Sequence, residues 1–489
     1  MSTVPPSTPV LVGIGVVSQR EEDYTRALEP IDLMLAAVRA AGEDCGAPAL
    51  LGELDRIAIP RGRWRYRNPS GEIARAVGAA RAQTIVSSVG VLQQTLIADA
   101  CAAIAGGQIE SALITGADAG YRLLRAKIVG DRASERAQDD DPDVLLEPKA
   151  ELRHPAELAA GLTMPVGLYV LLESARRAAA GLDLEAHRDR LARRYEQFAA
   201  IAAQNPDAWN RSAPAMAAIR DAGPANPMQA FPYTRSHCST WNVDQAAALL
   251  LCSAGRAEAL GIPRSRWVFP AASAEANHML PVSARAELVR CAGADVAAAA
   301  VLEASGIAPD AIDLVDLYSC FPVAVEAFAE AAGLDPDGAH TITGGMPFAG
   351  GPYNNYFFQA TARAGQLLRA GTGRHALLSC VSGIMTKQAF ALWSSEPPAE
   401  GFQRRDVTDA AAAAAHELPV EEAYTGAGRV AGCTVLHGRG QAPRAVLLVD
   451  TAKGTRALAT SEAEDVIAAI ESEEWVGRQV EIMAGELAA

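Results

Sequence analysis

Hydrophobic and polar positions follow one pattern twice along the chain. Residues 104–116 and 368–380 each show the end of a helix, a glycine stop, a short polar turn and an apolar strand that ends on a small residue. Residues 54–60 and 312–318 form a second matching pair at a similar spacing. The chain therefore predicts a duplicated α/β unit. In such folds we expect chemistry where the strand ends of the two halves meet.

The same spacing predicts the elements of each half. In the first half it predicts strands at 9–18, 54–60 and 110–119, an apolar stretch at 83–91, and helices at 30–42, 71–80 and 91–105. In the second half it predicts strands at 243–253, 267–275, 312–321 and 375–383, and helices at 284–305, 322–332 and 356–370.

Two regions depart from this pattern. Residues 120–235 contain an acidic run at 133–143, predicted as a solvated loop, and a helical segment at 184–206 with arginines on one side. After residue 400, short strand-like runs alternate with turns, which predicts a small antiparallel sheet or barrel. The predicted domains are an N-terminal half (1–120 and 236–260), an insertion (121–235), a C-terminal half (261–393), a linker (394–422) and a β-rich domain (423–489).

Composition narrows the class of protein. The net charge of −15 argues against a nucleic-acid-binding surface over the whole molecule. The eight cysteines show no CxxC pair and no zinc spacing, so we expect reduced thiols and no metal site. The N-terminus lacks a signal-peptide pattern, and no apolar run of about 18 residues occurs. These features predict a cytoplasmic protein without a membrane span.

The half-repeat, the glycine-rich loop at 343–355 and Cys380 together resemble the thiolase superfamily, especially the sterol-carrier-type thiolases. The resemblance covers residues 8–393 and rests on the order and spacing of the motifs. It implies a layered αβαβα body, to which the β-rich domain is added. It also implies an acyltransferase of the acetyl-CoA acetyltransferase type, acting in acyl-CoA and lipid metabolism.

The resemblance places four catalytic positions in this chain. The nucleophilic cysteine falls on Gly90 in IVSSVGVLQQTLIADACAAIAGG, and the Asn or His of the middle motif falls on Tyr318. The histidine of the G-H-P motif falls on Gly351, and the last motif keeps Cys380. Glycine cannot form an acyl-cysteine intermediate or act as a base, so the standard thiolase route is disabled.

Three functions remain open at this stage. The first is a thiolase-fold protein that has lost this catalysis and still binds an acyl-CoA or a related acyl ligand. The second is an active acyltransferase with Cys380 as nucleophile and Tyr318 as proton donor, in which Cys320 has no role. The third is a non-catalytic scaffold or partner subunit that acts through its C-terminal β domain on a partner protein.

The resemblance also implies the ligand contacts and the assembly. It places contacts to coenzyme A at Arg190, Arg194 and Thr240, with a coenzyme A thioester as candidate ligand and no other cofactor. In thiolases the strand before the nucleophile, here within 83–91, pairs with its twin. Such an apolar edge needs a partner or a cover, and the C-terminal domain is one candidate cover. We expect a monomer or a weak homodimer.

Overall fold

The computed structural model of the protein describes residues 4–148, 154–438 and 440–488. The strands are β1 (Pro9–Gln19), β2 (Arg56–Pro60), β3 (Gln83–Ser87), β4 (Ser111–Ala119), β5 (Val144–Leu146), β6 (Met228–Ala230), β7 (Tyr233–Thr234), β8 (Asp244–Ser253), β9 (Phe269–Ala276), β10 (Leu314–Asp316), β11 (His375–Ser382), β12 (Lys387–Ser394), β13 (Gln403–Asp406), β14 (Val420–Glu421), β15 (Gly426–Leu436), β16 (Arg444–Thr451), β17 (Arg456–Ser461), β18 (Gln479–Met483) and β19 (Glu486–Leu487). The helices are α1 (Pro30–Cys45), α2 (Pro69–Val77), α3 (Gln93–Ala105), α4 (Gly120–Ile128), α5 (Pro155–Ala159), α6 (Pro165–Ala179), α7 (Leu184–Gln204), α8 (Met216–Arg220), α9 (Ala254–Ala259), α10 (Ala292–Ser305), α11 (Pro322–Ala331), α12 (Gly345–Phe348), α13 (Tyr356–Arg369), α14 (Thr408–Ala414) and α15 (Glu464–Ser472).

The two halves of the body contain the same four-strand arrangement. The first sheet contains the order β1-β8-β4-β2, and the second contains β9-β12-β11-β10. The senses match as well: in both sheets the first two pairings are antiparallel and the third is parallel. The predicted duplication is therefore confirmed. The halves differ in one connection, because β11 runs directly into β12 whereas a long segment separates β4 from β8.

The sheets and helices stack in five layers. Helices α1 and α2 cover the outer face of the first sheet, and α10, with α11 packed on it, covers the second. Helices α3 and α13 lie between the sheets, where Leu96 and Phe357 share one core with Leu249 and Leu378. This confirms the αβαβα body. No helix in the described ranges combines the length and apolarity that crossing a bilayer requires.

Several predicted elements differ in their bounds from the structure, and two of them have a clear physical reason. Helix α1 runs through Gly42 and ends at Cys45, because Gly46 adopts the left-handed conformation (φ +76°) that closes a helix. The predicted strand 312–321 is short, since β10 spans only three residues. Beyond it, the N–H of Leu317 donates to the His340 carbonyl and that of Tyr318 to the Ser379 hydroxyl. The chain thus leaves the sheet after Asp316, before it reaches Tyr318.

The C-terminal region forms a closed five-strand barrel. Its strands pair in the ring β15-β16-β17-β19-β18, and β18 returns to β15. Helix α15 connects the third strand to the fourth. This is the connectivity of an OB-type barrel. It confirms the predicted small β domain.

The barrel is packed against the body through the outer face of β16 and β17. Val446, Leu448 and Leu458 point away from the barrel interior and join the core that contains α6, α10 and α11. Strand β15 lies so close to α6 that a Cβ on Gly432 would sit 2.7 Å from the Leu171 carbonyl oxygen. In OB folds the second and third strands form the usual oligonucleotide-binding face. In this protein that face is buried.

A segment of the insertion covers the edge of the first sheet. Residues 131–148, which we call the strap, run along α1 and α2 and end beside β3. Strand β5 of the strap pairs in parallel with β3, and Asp143 accepts hydrogen bonds of 2.8 Å from the N–H and hydroxyl of Thr84. The cover that the sequence left open is thus the strap and not the C-terminal domain. The acidic run is exposed as predicted, but it is held by ion pairs such as Arg67–Asp141 and Arg75–Asp140.

A buried carboxyl joins the two ends of the long connection between β4 and β8. Asp244 accepts hydrogen bonds from the backbone N–H groups of Tyr121 (2.8 Å) and Arg122 (3.0 Å), in the first turn of α4, and from Gln19 at 3.3 Å. Burial is the largest influence on this group and raises its pKa to about 6, with the nearby Asp118 adding to the shift. The carboxyl thus binds its proton more tightly in the folded chain than in the unfolded one.

We expect Asp244→Asn to flatten the pH dependence of stability. The native pKa of about 6 exceeds the ordinary value of 3.8, so the contribution of this proton is complete below about pH 4 and lost as pH rises through 6. Relative to the Asn variant, the wild type should lose about 2 kcal/mol in the free energy of unfolding between pH 4 and 7. Urea unfolding across this range measures it. Asp313→Asn should show the opposite sign, because N–H groups of Arg374 and His375 lower the pKa of Asp313.

Candidate active site

The turn between β3 and α3 carries position 90, where the resemblance places a nucleophile. Gly90 is buried, and its φ of +107° is one that residues with a side chain rarely adopt. A Cβ at this position would lie 3.0 Å from both Cβ and Cγ of Pro148, the last described residue of the strap. The Gly90 carbonyl accepts a hydrogen bond of 2.8 Å from Nζ of Lys387. Position 90 itself has no nucleophile, and Pro148 packs beside it.

Cys380 lies within β11 and is fully buried. Burial raises the pKa of its thiol to about 12. The backbone N–H groups of Gln94 and Gln93, at the start of α3, act in the opposite direction, whereas the Glu275 carboxyl raises the pKa further. Since the thiolate is the nucleophile, a thiol with this pKa is inert at neutral pH.

Glu275 is a buried acid that sequence reasoning did not single out. Cys380 is opposite Ala389, which is opposite Glu275, so the three side chains point to one face of the second sheet. Thr95 donates to one carboxyl oxygen at 2.8 Å, and the other oxygen has no partner among the described residues. Burial raises the pKa of Glu275. Burial thus makes the Glu275 carboxyl a weaker acid than an exposed one.

Tyr318 fills space at the end of β10. Its side chain is 8% exposed, and its ring packs edge-on against Tyr356 with centroids 5.7 Å apart. Burial raises the pKa of its hydroxyl well above the ordinary value, and the thiols of Cys320 and Cys380 add to this. The hydroxyl therefore stays protonated and can only donate or accept a hydrogen bond at neutral pH.

Gly351, the position of the G-H-P histidine, is hydrogen-bonded to Thr240, one of the predicted coenzyme A contacts. The N–H of Gly351 donates to the Thr240 carbonyl at 2.9 Å, and a Cβ at 351 would overlap Oγ of Ser239. The Thr240 hydroxyl donates to the Pro347 carbonyl at 2.7 Å. The N–H at position 351 and this hydroxyl thus both donate to backbone carbonyls of the chain itself.

A buried carboxylate holds the glycine-rich loop. Asp316 accepts five hydrogen bonds of 2.8–3.1 Å, from the N–H groups of Ile342 and Thr343 and the hydroxyls of Thr341, Thr343 and Tyr356. The two glycines that follow approach α7 so closely that a side chain on either would overlap it. These contacts fix the loop as a structural support for the site.

The two arginines assigned to coenzyme A lie on α7 and face α11. Arg194 is 1% exposed and donates to Glu326 at 2.7 Å and to the Pro336 carbonyl. Arg190 pairs with Asp337 and keeps 24% of its side chain exposed. Their charges are thus already compensated within the chain. Arg190 is the one that an incoming phosphate can reach without breaking a buried pair.

Comparison with known proteins identifies the architecture. No protein-family model matches the chain. A monomeric SCP2-thiolase-like protein type 1 from Mycobacterium smegmatis is 25% identical and superposes with a TM-score of 0.82 over 99% of this chain and 100% of its own. This thiolase-like match, which spans the barrel as well as the body, decides the assignment. The chain has the thiolase fold and resembles the sterol-carrier type.

Two enzymes share the fold at lower identity. An acetyl-CoA acetyltransferase from Syntrophomonas wolfei is 16% identical, with a TM-score of 0.55 over 80% of this chain and 99% of its own. Human mitochondrial 3-ketoacyl-CoA thiolase, in a complex with CoA, is 15% identical, with a TM-score of 0.57 over 81% of this chain and 100% of its own. At these identities the likeness shows the fold alone.

The thiolase-like fold brings the four predicted catalytic positions to one place. Gln93, three residues after Gly90, faces the Cys380 thiol with its N–H and hydrogen-bonds Tyr318 with its side chain. The same side chain donates to Asn354, which lies three residues after Gly351, at 3.2 Å. The structure thus places these four positions near one another, and their roles as a site remain predictions. Arg190 and Arg194 lie apart from it, on α7.

Buried cations support the thiolase-like site, and sequence reasoning missed them. Lys387 is 3% exposed and binds the carbonyl of Gly90. Arg285 is 8% exposed and donates to the carbonyls of Ile384 (2.5 Å) and Met385 (3.0 Å), in the turn that follows β11. A weak signal was present, because lysine occurs at only four positions in this arginine-rich chain. These side chains fix the two turns that frame Cys380.

Restoring a cysteine at position 90 should not restore catalysis. We expect Gly90→Cys to lose about 1–3 kcal/mol of stability, because it places a side chain at φ +107° and against Pro148. We also expect no gain of thiolysis. Gly107→Cys is the matched control, since its φ is +66° and its Cβ would meet open space, and it should lose about 1 kcal/mol. Thermal unfolding and an acetoacetyl-CoA assay measure both effects. Wild-type stability together with turnover in Gly90→Cys would contradict this account.

Proposed function

We propose that this thiolase-fold protein binds an acyl-CoA or a related acyl ligand and does not form an acyl-cysteine intermediate. The observation that carries the proposal is Gly90, a position without a side chain where the fold's nucleophile would stand. Glycine has no atom to acylate, so the covalent route is absent and not merely slow. A role in acyl-CoA and lipid metabolism remains a prediction of the resemblance, and a cytoplasmic location remains a prediction of the sequence pattern.

Coenzyme A as the ligand class is supported by the fold. The human 3-ketoacyl-CoA thiolase of the same fold is described in a complex with CoA. In this chain Arg190 is the best-placed cation of the three predicted contacts, because it is partly exposed and its partner Asp337 is largely solvated. Arg194 is held by the buried Glu326, so its predicted contact would need that pair to break.

The acyltransferase that uses Cys380 is the weaker assignment. A thiol with a pKa of about 12 is essentially protonated at neutral pH, and burial denies it to a thioester. The Glu275 carboxyl on the same sheet face raises the pKa of the thiol further.

The scaffold assignment is also weaker, as far as it concerns the barrel. The face that OB folds commonly use for ligands is buried against the body. The barrel therefore acts as part of the thiolase-like unit. A protein partner remains a prediction.

Acetoacetyl-CoA thiolysis by the purified chain, beside an authentic thiolase, tests the loss of chemistry. We expect a rate at least about 10⁴-fold below the thiolase, as follows from removal of a nucleophile. Turnover that Cys380→Ala abolishes and Cys320→Ala retains would instead assign the reaction to Cys380. Turnover that neither variant affects would show that the reaction uses another group of the protein. This result would also overturn the proposal.

Calorimetric titration with acetyl-CoA tests the ligand. We expect binding that Arg190→Gln weakens about fivefold, the effect of losing one charge contact of about 1 kcal/mol. Arg374→Gln is the control for the loss of one arginine charge elsewhere, because this arginine is exposed and pairs with Glu396, away from α7. No heat and no competition at millimolar acetyl-CoA would remove coenzyme A as the ligand class.

A further inference from the structure

Three polar side chains beside the candidate active site carry buried atoms that lack partners. The Ser87 hydroxyl, both amide atoms of Asn355 and Nε of Arg61 form no hydrogen bond with any described residue. Ser87 is 0% exposed and Asn355 is 1% exposed. Buried polar groups in native proteins are nearly always hydrogen-bonded, so unpaired groups that lie in one place indicate a bound partner.

The three side chains lie where the parallel strands β2 and β3 end. Pro60, the last residue of β2, is in register with Ser87, so their side chains point to one face of the sheet. A Cβ at Gly116, on β4, would lie 2.8 Å from Oδ1 of Asn355 and 3.4 Å from Cδ of Pro60. Arg61 follows Pro60, and its N–H donates to the Ser87 carbonyl at 2.8 Å. Ligands of open α/β sheets commonly bind at such carboxyl ends of strands.

Arg61 brings an uncompensated positive charge to this place. It is half-buried, and the described part of the chain offers its guanidinium neither an acid nor a hydrogen-bond acceptor. Its neighbour Arg63, by contrast, pairs with Asp118 at 2.8 Å. Asn355 is also the N-cap residue of the 14-residue helix α13 and makes no capping bond, so the positive end of the helix dipole lies here too.

This combination of charge and donors fits a carboxylate. Arg61, Ser87 and Asn355 each have an N–H or O–H to donate, and a carboxylate is the group that accepts several such bonds at once. A single cation matches a single negative charge, whereas a phosphate dianion would leave one charge uncompensated.

The three donors adjoin the candidate active site through a chain of hydrogen bonds. The Asn354 amide donates to the Arg61 carbonyl at 3.2 Å and accepts from Gln93 at 3.2 Å. Gln93 in turn hydrogen-bonds Tyr318. A ligand bound at the candidate site therefore has Arg61 as a close neighbour.

The surface beside Arg61 is aromatic. Tyr353 is 39% exposed and Trp241 is 45% exposed. The Trp241 ring lies 5.5 Å from the guanidinium of Arg63, two residues after Arg61, and Tyr353 directly precedes Asn354. An apolar rim next to one unpaired cation suits a ligand with an apolar chain that ends in a carboxylate.

We propose that the acyl ligand ends in a carboxylate, and that Arg61, Ser87 and Asn355, which we call the carboxylate site, bind it. The ligand class is then a coenzyme A thioester of a dicarboxylic acid. The carboxylate reaches the site beside Arg61, the one of the three side chains that is partly exposed. This inference rests on the proposed function, because it names the acyl group of that ligand. Binding involves no covalent step.

Matched pairs of thioesters test the carboxylate by calorimetric titration. The pairs are succinyl- and butyryl-CoA, glutaryl- and pentanoyl-CoA, and adipoyl- and hexanoyl-CoA, which differ in a terminal carboxylate against a methyl group. In at least one pair we expect the wild type to bind the acid at least about tenfold more tightly. Arg61→Gln should reduce this preference to below about twofold and leave binding of the methyl-ended thioester unchanged. Equal affinity within all three pairs would overturn the inference and leave the proposed function intact.

Arg56→Gln is the matched control. Arg56 lies at the other end of β2, is also half-buried, and bonds to Gln83 with no acid partner among the described residues. This variant should keep the full preference for the carboxylate. Loss of the preference in both variants would assign it to the net charge of the protein and overturn the site.

Asn355→Asp tests the site from its buried side. Aspartate has nearly the shape of asparagine, but its charge would repel the carboxylate of the ligand. We expect the preferred dicarboxylic thioester to bind at least about tenfold more weakly, with the methyl-ended thioester changed by less than about twofold. An equal change for both thioesters would show that the amide holds only a buried water, and would overturn the inference.

Free glutarate separates this inference from the proposed function. If no thioester binds, the proposed function fails, and glutarate alone then decides the carboxylate site. We expect millimolar glutarate to raise the unfolding temperature of the wild type and not that of Arg61→Gln, whereas sodium chloride at equal ionic strength raises neither. No shift in the wild type would overturn the carboxylate site as well. Without ligand, Arg61→Gln should unfold at the wild-type temperature, and a large drop would assign Arg61 a structural role instead.

Discussion

The close approach of Pro148 to Gly90 is the contact on which the rest of the site depends. Two carbons of the proline ring lie 3.0 Å from the place where a Cβ at position 90 would stand. This close contact and the φ of +107° both favour glycine at this position. The strap then continues into β5, which closes the edge of β3. The segment that closes the sheet edge thus also packs against position 90.

Burial is the largest influence on the pKa values of the reactive side chains at the candidate site. The site keeps a thiol, a phenol and a carboxyl, in Cys380, Tyr318 and Glu275, and burial raises the pKa of each. The Cys380 thiol and the Tyr318 hydroxyl therefore stay protonated at pH 7. The helix N-terminus that faces Cys380 is too weak to reverse this, because burial acts more strongly. The positive charges nearby, on Lys387 and Arg285, bind backbone carbonyls in the structure.

The sequence predicted the fold well because the fold is encoded locally. The half-repeat, the glycine stops and the alternating barrel strands are patterns over a few neighbouring residues, and the structure reproduces them. Gly90 could be located from the alignment of its flanking helix. The strap could not be predicted, because β5 is only three residues long and its acids resemble a solvated run. Nor could the inward orientation of Arg194 be predicted, since its partner Glu326 lies on another helix, 132 residues away in sequence.

The central claim is that no acyl group is transferred to this chain. Intact-mass spectrometry of the protein, quenched in acid after incubation with acetoacetyl-CoA, tests it without relying on turnover. We expect the unmodified mass, alongside an authentic thiolase that shows an added acetyl group. An acetyl adduct that maps to a cysteine of this chain would contradict the account, and an adduct at Cys380 would do so most directly.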